Sequence, residues 1–183
     1  MNRAPSLRRL ATADLTAAEV GTIRELLRAA FAQDGEGFTD ADWAHAVGGL
    51  HVLLEVGGEI VSHASVVERR LHAGGRAVRT GYVEAVATRP EDQGRGFGSR
   101  VMTEVGAHVR DAYELGALGT GRDAFYERLG WIPWTGPTWV RSAHGEVRTP
   151  EDDGAIFVLL TPTSPPLDPA GPIACEWRPG DVW

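Results

Sequence analysis

The sequence predicts an α+β protein built on one mostly antiparallel sheet flanked by helices, as a single domain over residues 1–183. Three observations carry that expectation. Strand-length apolar segments are joined by the glycine pairs Gly57-Gly58 and Gly74-Gly75, which suit the positive φ angles of tight hairpin turns. Two longer segments repeat their apolar residues at helical spacing. The resulting order of elements is βααβββαβαββ, with three strands in succession at its centre.

Taken in order, "SLRRLAT" reads as a first strand, and Thr16 with Glu19 three residues later forms a capping-box signature. The helix it opens carries Val20, Ile23, Leu26, Leu27 and Ala30 on one face and ends near Phe31. "AQDGEG" follows as a loop, and Thr39 with Asp42 repeats the helix-start signal for a short helix bearing Trp43. "HVLLEV" and "EIVSHASVV" flank Gly57-Gly58 as a hairpin, and "AVRTGYVEAVAT" is a third strand that runs until Pro90. Residues 97–115 repeat Val101, Val105, Val109, Ala112 and Leu115 at helical spacing, with Gly116 as the stop. "GALGTG" then reads as a short strand, Asp123 to Leu129 as a helix closed by Gly130, and Trp131–Val140 and Ala155–Leu160 as the last strands. The proline-rich tail, residues 162–183, is expected to be irregular.

Composition narrows the function classes. A formal net charge of −7 argues against a nucleic-acid partner and favours a cationic ligand. No apolar run is long enough to span a membrane and no leader-like stretch follows the first charges, so the expected location is the cytoplasm. The lone Cys175 rules out internal disulfides, and the histidine spacing gives no metal-ligand pattern.

The stretch "EDQGRGFGSR" places glycines at 94, 96 and 98 between a strand end and a helix start. Dinucleotide binding fits poorly, because the sixth position is Ser99 and the acid about 20 residues on, Glu114, falls within the predicted helix. A P-loop is excluded because all eighteen basic residues are arginines. The remaining physics is that of a helix N-terminus with exposed N–H groups and no Cβ atoms to hold an anion away, which suits a diphosphate. The alternative is a plain helix-entry turn.

"QGRGFG" at 93–98 resembles the acyl-CoA-binding motif of the GCN5-related N-acetyltransferases (GNAT), and "AFYERLGW" at 124–131 resembles their later aromatic segment. "DADWAHAVGGLH", "GYVEAVA", "AYELGALG", "GWIPWTGPT", "RTPEDDGAIFVL" and "CEWRPGDVW" narrow the resemblance to the aminoglycoside 2′-N-acetyltransferases over most of the chain. The resemblance implies a GNAT fold with a twisted sheet and acetyl-CoA as donor. It implies a diphosphate site on Gln93, Gly94, Arg95, Gly96, Phe97, Gly98 and Ser99, a pantetheine arm along the strand at Val86, and a homodimer.

Acetyl transfer to an amine requires a base for the ammonium, a donor for the carbonyl oxygen and an acid for the departing thiolate. Glu84, a carboxylate among apolar strand residues, is the candidate base, directly or through a water. The Val86 N–H is the candidate donor if the strand is locally unpaired. The resemblance makes Tyr126 the candidate acid, and a phenol of ordinary pKa about 10 can protonate a thiolate. An aminoglycoside site needs acids around its ammonium groups. The resemblance points to Asp42, Glu84, Asp152 and Asp181 for this, with Asp34 or Glu36 in the "AQDGEGFTD" loop and Thr120 as a hydroxyl contact. The terminal Trp183 is expected to tuck into the acceptor site with its carboxylate. His63 reads either as a site-lining residue or as a hydrogen-bonded structural histidine, and Cys175 as a packed thiol rather than a nucleophile. The rival readings are a GNAT enzyme for another polyamine or a peptide N-terminus, and a silent acyl-CoA-binding module.

Overall fold

The computed structural model describes residues 4–33, 35 and 37–183; Asp34 and Glu36 lie outside the described residues. Among the described residues ten strands pair in one mixed sheet, ordered β6-β9-β5-β4-β3-β10-β7-β8, with β2 on β3 and β1 on β2 off that path. The elements are β1 Ser6–Ala11, α1 Ala17–Gln33, α2 Asp40–Ala46, β2 Leu50–Val56, β3 Glu59–Ala73, β4 Arg76–Thr88, α3 Phe97–Ala112, β5 Leu115–Gly119, α4 Asp123–Glu127, β6 Ile132–Pro133, β7 Thr138–Ser142, β8 Gly145–Arg148, β9 Ile156–Leu160 and β10 Ile173–Glu176. Only β4 with β5 and β7 with β10 run parallel among the recorded pairings, so the expected mixed, mostly antiparallel α+β arrangement is present.

The chain divides into two compact units. The first holds residues up to Val67 and Val83–Val105. Here β1 pairs β2, and β2 pairs β3 around a turn whose glycines adopt φ 64° and 95°. Thr16 and Glu19 close the expected capping box at the start of α1: the Thr16 N–H donates to Glu19 at 2.8 Å and the Glu19 N–H to Thr16 Oγ1 at 3.2 Å. That cap orients Ile23, Leu26, Leu27 and Ala30 onto Leu53, Ile60 and Ala87, with Phe31, Phe38 and Trp43 packed against them. At Gly49 the backbone passes so near β3 that an added Cβ would lie 1.9 Å from the Val66 carbonyl oxygen.

The second unit holds Glu68–Tyr82 and Gly106–Trp183. Thr80–Tyr82 of β4 pair in parallel with Leu115–Ala117 of β5, and β5 pairs antiparallel with β9. Its core is aromatic: Trp131, Trp134 and Phe157 are fully buried. Helix α3 ends at Ala112, so Leu115 belongs to β5 rather than to the helix, because its side chain completes the strand's buried face. Three features differ from the sequence reading. The strand read over Trp131–Val140 is two, β6 and β7, which pair with β9 and with β8 and β10 respectively. Gly145–Arg148 forms β8 in a hairpin with β7, and Ile173–Glu176, inside a tail expected to be irregular, forms β10 between β3 and β7. Four residues carry too little local signal to mark a strand; partners on both sides make this one.

Candidate active site

Strand β4 runs unbroken through Ala85, whose φ of 52° is the only left-handed value at a non-glycine among the described residues. A left-handed residue inside a strand is a bulge, and it breaks the side-chain alternation: Glu84, Ala85 and Val86 are all half-buried. Carbonyls on this stretch are met by β3 side chains. Ser65 Oγ donates to the Glu84 carbonyl at 3.3 Å, His63 Nδ1 lies 2.8 Å from the Ala85 carbonyl, and Ser62 Oγ donates to the Ala87 carbonyl at 3.0 Å. His63, left open between two readings by the sequence, is therefore a hydrogen-bonded interior residue. Its Nε2 lies 2.9 Å from Nδ1 of His51, and Nε2 of His51 lies 2.9 Å from Thr12 Oγ1. Burial pushes His51 down to about 4 and His63 down to about 3, the latter also through its neighbour His51.

The glycine loop follows. A 3-10 turn, Pro90–Asp92, ends at Gln93, whose side chain donates to the Thr88 carbonyl at 3.2 Å. Gly94 and Gly96 adopt φ 74° and 78°, which an L side chain rarely does, and a Cβ added at either would meet nothing within 4 Å. The backbone is shaped like a nest with open space on the side-chain face. The Arg100 N–H donates to the Gly96 carbonyl at 3.1 Å as α3 begins, so the N–H groups of Phe97, Gly98 and Ser99 are the ones a helix start leaves unused within itself. Asp92, 4% exposed, anchors the cationic side of the loop: its carboxylate takes Arg89 Nε at 2.7 Å and Arg95 NH1 at 2.5 Å, and the Arg95 guanidinium lies 4.8 Å from the Phe97 ring centre. Sequence reasoning missed Arg89 and Asp92, whose role appears only once the turn brings them together. Two positive-φ glycines ahead of a sixteen-residue helix, with arginine beside them, fit the diphosphate of acetyl-CoA.

Asp42 also lies in the first unit. One carboxylate oxygen closes the capping box of α2, accepting the Thr39 N–H at 2.6 Å and the Thr39 hydroxyl at 2.7 Å, so Asp42 has a structural task whatever else it does.

The second unit holds Tyr126, Thr120, Asp152, Asp181 and Trp183. Tyr126 on α4 is buried, with Phe125 and Trp131 edge-on at 4.9 and 6.3 Å, and burial pushes its phenol up to about 12. The Thr120 hydroxyl accepts the Arg122 N–H at 2.9 Å and shapes the turn into α4. Asp152, Asp181 and Trp183 are brought together. Asp181 Oδ1 accepts the Trp183 N–H at 3.2 Å, and Asp152 senses the charges of Asp181, Glu151 and Asp153; burial, ahead of these, raises its pKa. Asp153 stands apart, its carboxyl held low by Arg148 at 2.7 Å and by Thr138. Trp183 is buried, its indole N–H donating to Thr149 Oγ1 at 3.0 Å. Arg178 donates to the Asp181 carbonyl at 2.7 Å, and Arg69 to the Val182 carbonyl at 2.7 Å. The buried Cys175 thiol donates to the same Val182 oxygen at 3.3 Å, and burial pushes it up to about 11, which leaves it a packed thiol. Among the described residues no group of three or more His, Cys, Asp or Glu is placed to hold a metal ion.

Comparison with known proteins agrees with this geometry. Residues 12–133 match the family described as acetyltransferase (GNAT) domain. The chain is 44% identical over 176 residues, 94% of its length and 89% of the relative's, to an aminoglycoside 2′-N-acetyltransferase of Mycolicibacterium fortuitum. Among solved structures it resembles the Escherichia coli GNAT acetyltransferase YhbS, in complex with CoA, at TM-score 0.61 and 15% identity, covering 93% of this chain and 89% of that one. A GCN5-related N-acetyltransferase from Kribbella flavida matches at TM-score 0.59 and 25% identity over 73% of this chain, which spans only 34% of that longer protein. With a glycine nest opening α3, a bulged strand before it and a family match across both, the chain belongs to the GNAT acetyltransferases.

Proposed function

We propose that this acetyl-CoA-dependent N-acetyltransferase acts on the 2′-amino group of an aminoglycoside, within one acetyltransferase domain. The observation that carries the acceptor is the 44% identity, sustained over nearly the whole chain, to a curated enzyme of that name. The acids Asp152 and Asp181 support it, since a polycation needs fixed negative charge and burial of Asp152 strengthens each charge contact. Asp42, Thr120, Trp183 and one of the loop acids Asp34 or Glu36 complete the proposed acceptor contacts.

Bound acetyl-CoA supplies an acyl group activated as a thioester. The loop Gln93–Ser99 would hold the diphosphate through the backbone N–H groups that follow Gln93, whose own N–H goes to the Pro90 carbonyl at 3.3 Å, and through the N-terminal dipole of α3, with Arg95 adding a cation. Glu84 takes the proton that the acceptor ammonium must lose, directly or through a water. The Val86 N–H, just past the bulge, donates toward the carbonyl oxygen. Tyr126 keeps its proton and holds it for the departing sulfur. No covalent enzyme intermediate is required, in keeping with the packed Cys175.

Cytoplasmic residence belongs to this reading because acetyl-CoA is the donor. No helix among the described residues is long and apolar enough to cross a membrane. A homodimer is supported by the family alone, and light scattering on the purified protein decides it. The substrate test is a panel of aminoglycosides with and without a 2′-amine, incubated with acetyl-CoA while free thiol is measured. Release confined to the 2′-amino compounds is expected, and Glu84→Gln should slow it at least about 100-fold without weakening CoA binding. Release with peptides instead, or none with any amine, overturns the acceptor.

A further inference from the structure

The buried pair His51 and His63 has no part in the chemistry assigned above, yet it ends on the one strained residue of β4. Both rings are fully buried, and they form a single file from Thr12 Oγ1 through His51 and His63 to the Ala85 carbonyl, with links of 2.9, 2.9 and 2.8 Å. The hydrogen positions follow from the far end. A carbonyl only accepts, so Nδ1 of His63 carries the hydrogen; in a neutral ring its Nε2 then accepts from Nδ1–H of His51, whose Nε2 accepts from the Thr12 hydroxyl. Thr12 Oγ1 accepts the Gly48 N–H at 2.9 Å; its one hydrogen has two acceptors in reach, the Gly49 carbonyl at 3.2 Å and His51 Nε2 at 2.9 Å, and the neutral rings assign it to the nearer His51. Every donor in the file points toward Ala85. Desolvation keeps both rings neutral at ordinary pH, so the pattern holds where the enzyme works.

Such a file is a costly way to fill a core, since apolar residues of the same volume would pack there without buried polar atoms. What it secures is the carbonyl of a residue at φ 52°, a conformation alanine rarely adopts and that persists only where the surroundings enforce it. We propose that His63, oriented by His51 and Thr12, is a positioning residue for acyl transfer: its bond to the Ala85 carbonyl sets the bulge from which the Glu84 side chain and the Val86 N–H project. This rests on the roles given to Glu84 and Val86 above.

The two amide side chains separate the claim from a general loss of stability. Asparagine places its NH₂ where Nδ1 lies and can still meet the Ala85 carbonyl; glutamine reaches toward the Nε2 position and leaves that carbonyl unmet. His63→Asn should keep kcat within about 3-fold, whereas His63→Gln should lower kcat about 10- to 100-fold, with CoA affinity by calorimetry unchanged. Thr12→Val, at the far end of the file, should lower kcat less than His63→Gln. A second readout needs no turnover: crystal structures of the two variants should show Ala85 left-handed in His63→Asn and relaxed to extended backbone in His63→Gln. Equal kcat losses in the two variants, losses that simply follow melting temperature, or a bulge unchanged in His63→Gln would each overturn the proposal. If the wild-type enzyme acetylates a different amine, the acceptor reading fails and the comparison is made on that amine.

Discussion

Tyr126 carries its proton in a site where burial has raised the phenol to about 12, so the neutral form persists across the whole working range of pH. Removing the hydroxyl leaves no buried charge behind. Tyr126→Phe should lower kcat about 100-fold while changing CoA affinity and melting temperature little, measured by steady-state kinetics, calorimetry and thermal denaturation. His51 and His63 make a different kind of residue-scale demand. Their folded values, about 4 and about 3, lie below the usual 6.5 of an unfolded histidine, so the unfolded chain binds the extra protons first. The stability these rings contribute is complete above pH 6.5 and is lost as pH falls toward 4 and then 3, by roughly 1.4 kcal/mol per pH unit for each ring. Urea midpoints should drop steeply between pH 7 and pH 5, and the double variant His51→Phe, His63→Leu should show a flatter dependence. Glu84 and the glycines at 94 and 96 were legible in the sequence, because a carboxylate in an apolar strand and side chains missing at alternate positions stand out locally. The histidine file was not legible: it joins Thr12, His51, His63 and Ala85, whose adjacency exists only after β2, β3 and β4 have formed.

Among the elements, the turn into α3 is the one whose backbone is most nearly its function. Gly96 sits at φ 78° with open space where a Cβ would go, so Gly96→Ala meets no clash and the cost is conformational, about 1–2 kcal/mol. The added methyl projects into the nest, and CoA affinity by calorimetry should weaken about tenfold or more, while melting falls by a few degrees. Helix α1 and the β2–β3 hairpin were readable because cap and turn chemistry is local: Thr16 and Glu19 bond each other, and Gly57 and Gly58 take positive φ in place. The strands β8 and β10 were not, since β8 depends on the hairpin with β7 and β10 lies among prolines that argue against a strand. The predicted acceptor residues divide in the same way. Asp152, Asp181 and Trp183 converge through tail contacts that no spacing announces, whereas Asp42 follows the capping-box pattern and turns out to close one.

For the whole molecule, the surplus of acid over base decides how a polycation arrives. A net charge of −7 draws a cationic acceptor from a distance, and salt screens that attraction over roughly 10 Å at 0.1 M. The KM for an aminoglycoside should therefore rise several-fold between low salt and about 0.5 M sodium chloride, while the KM for acetyl-CoA, an anion, should not rise with it. Opposite behaviour would place the binding of the acceptor on uncharged contacts. Strand β10 carries a last consequence, for how the molecule is made. It lies between β3 and β7, so the β7–β8 hairpin reaches β3 only through residues translated some thirty positions after β7 is complete. Until Ile173–Glu176 leave the ribosome, the Leu71–Ala73 end of β3 lacks this partner and two finished strands have nowhere to dock. Assembly of this part of the sheet is obliged to wait for a segment translated after both strands it joins, and that vacant edge is where a nascent copy is most open to pairing with a stranger.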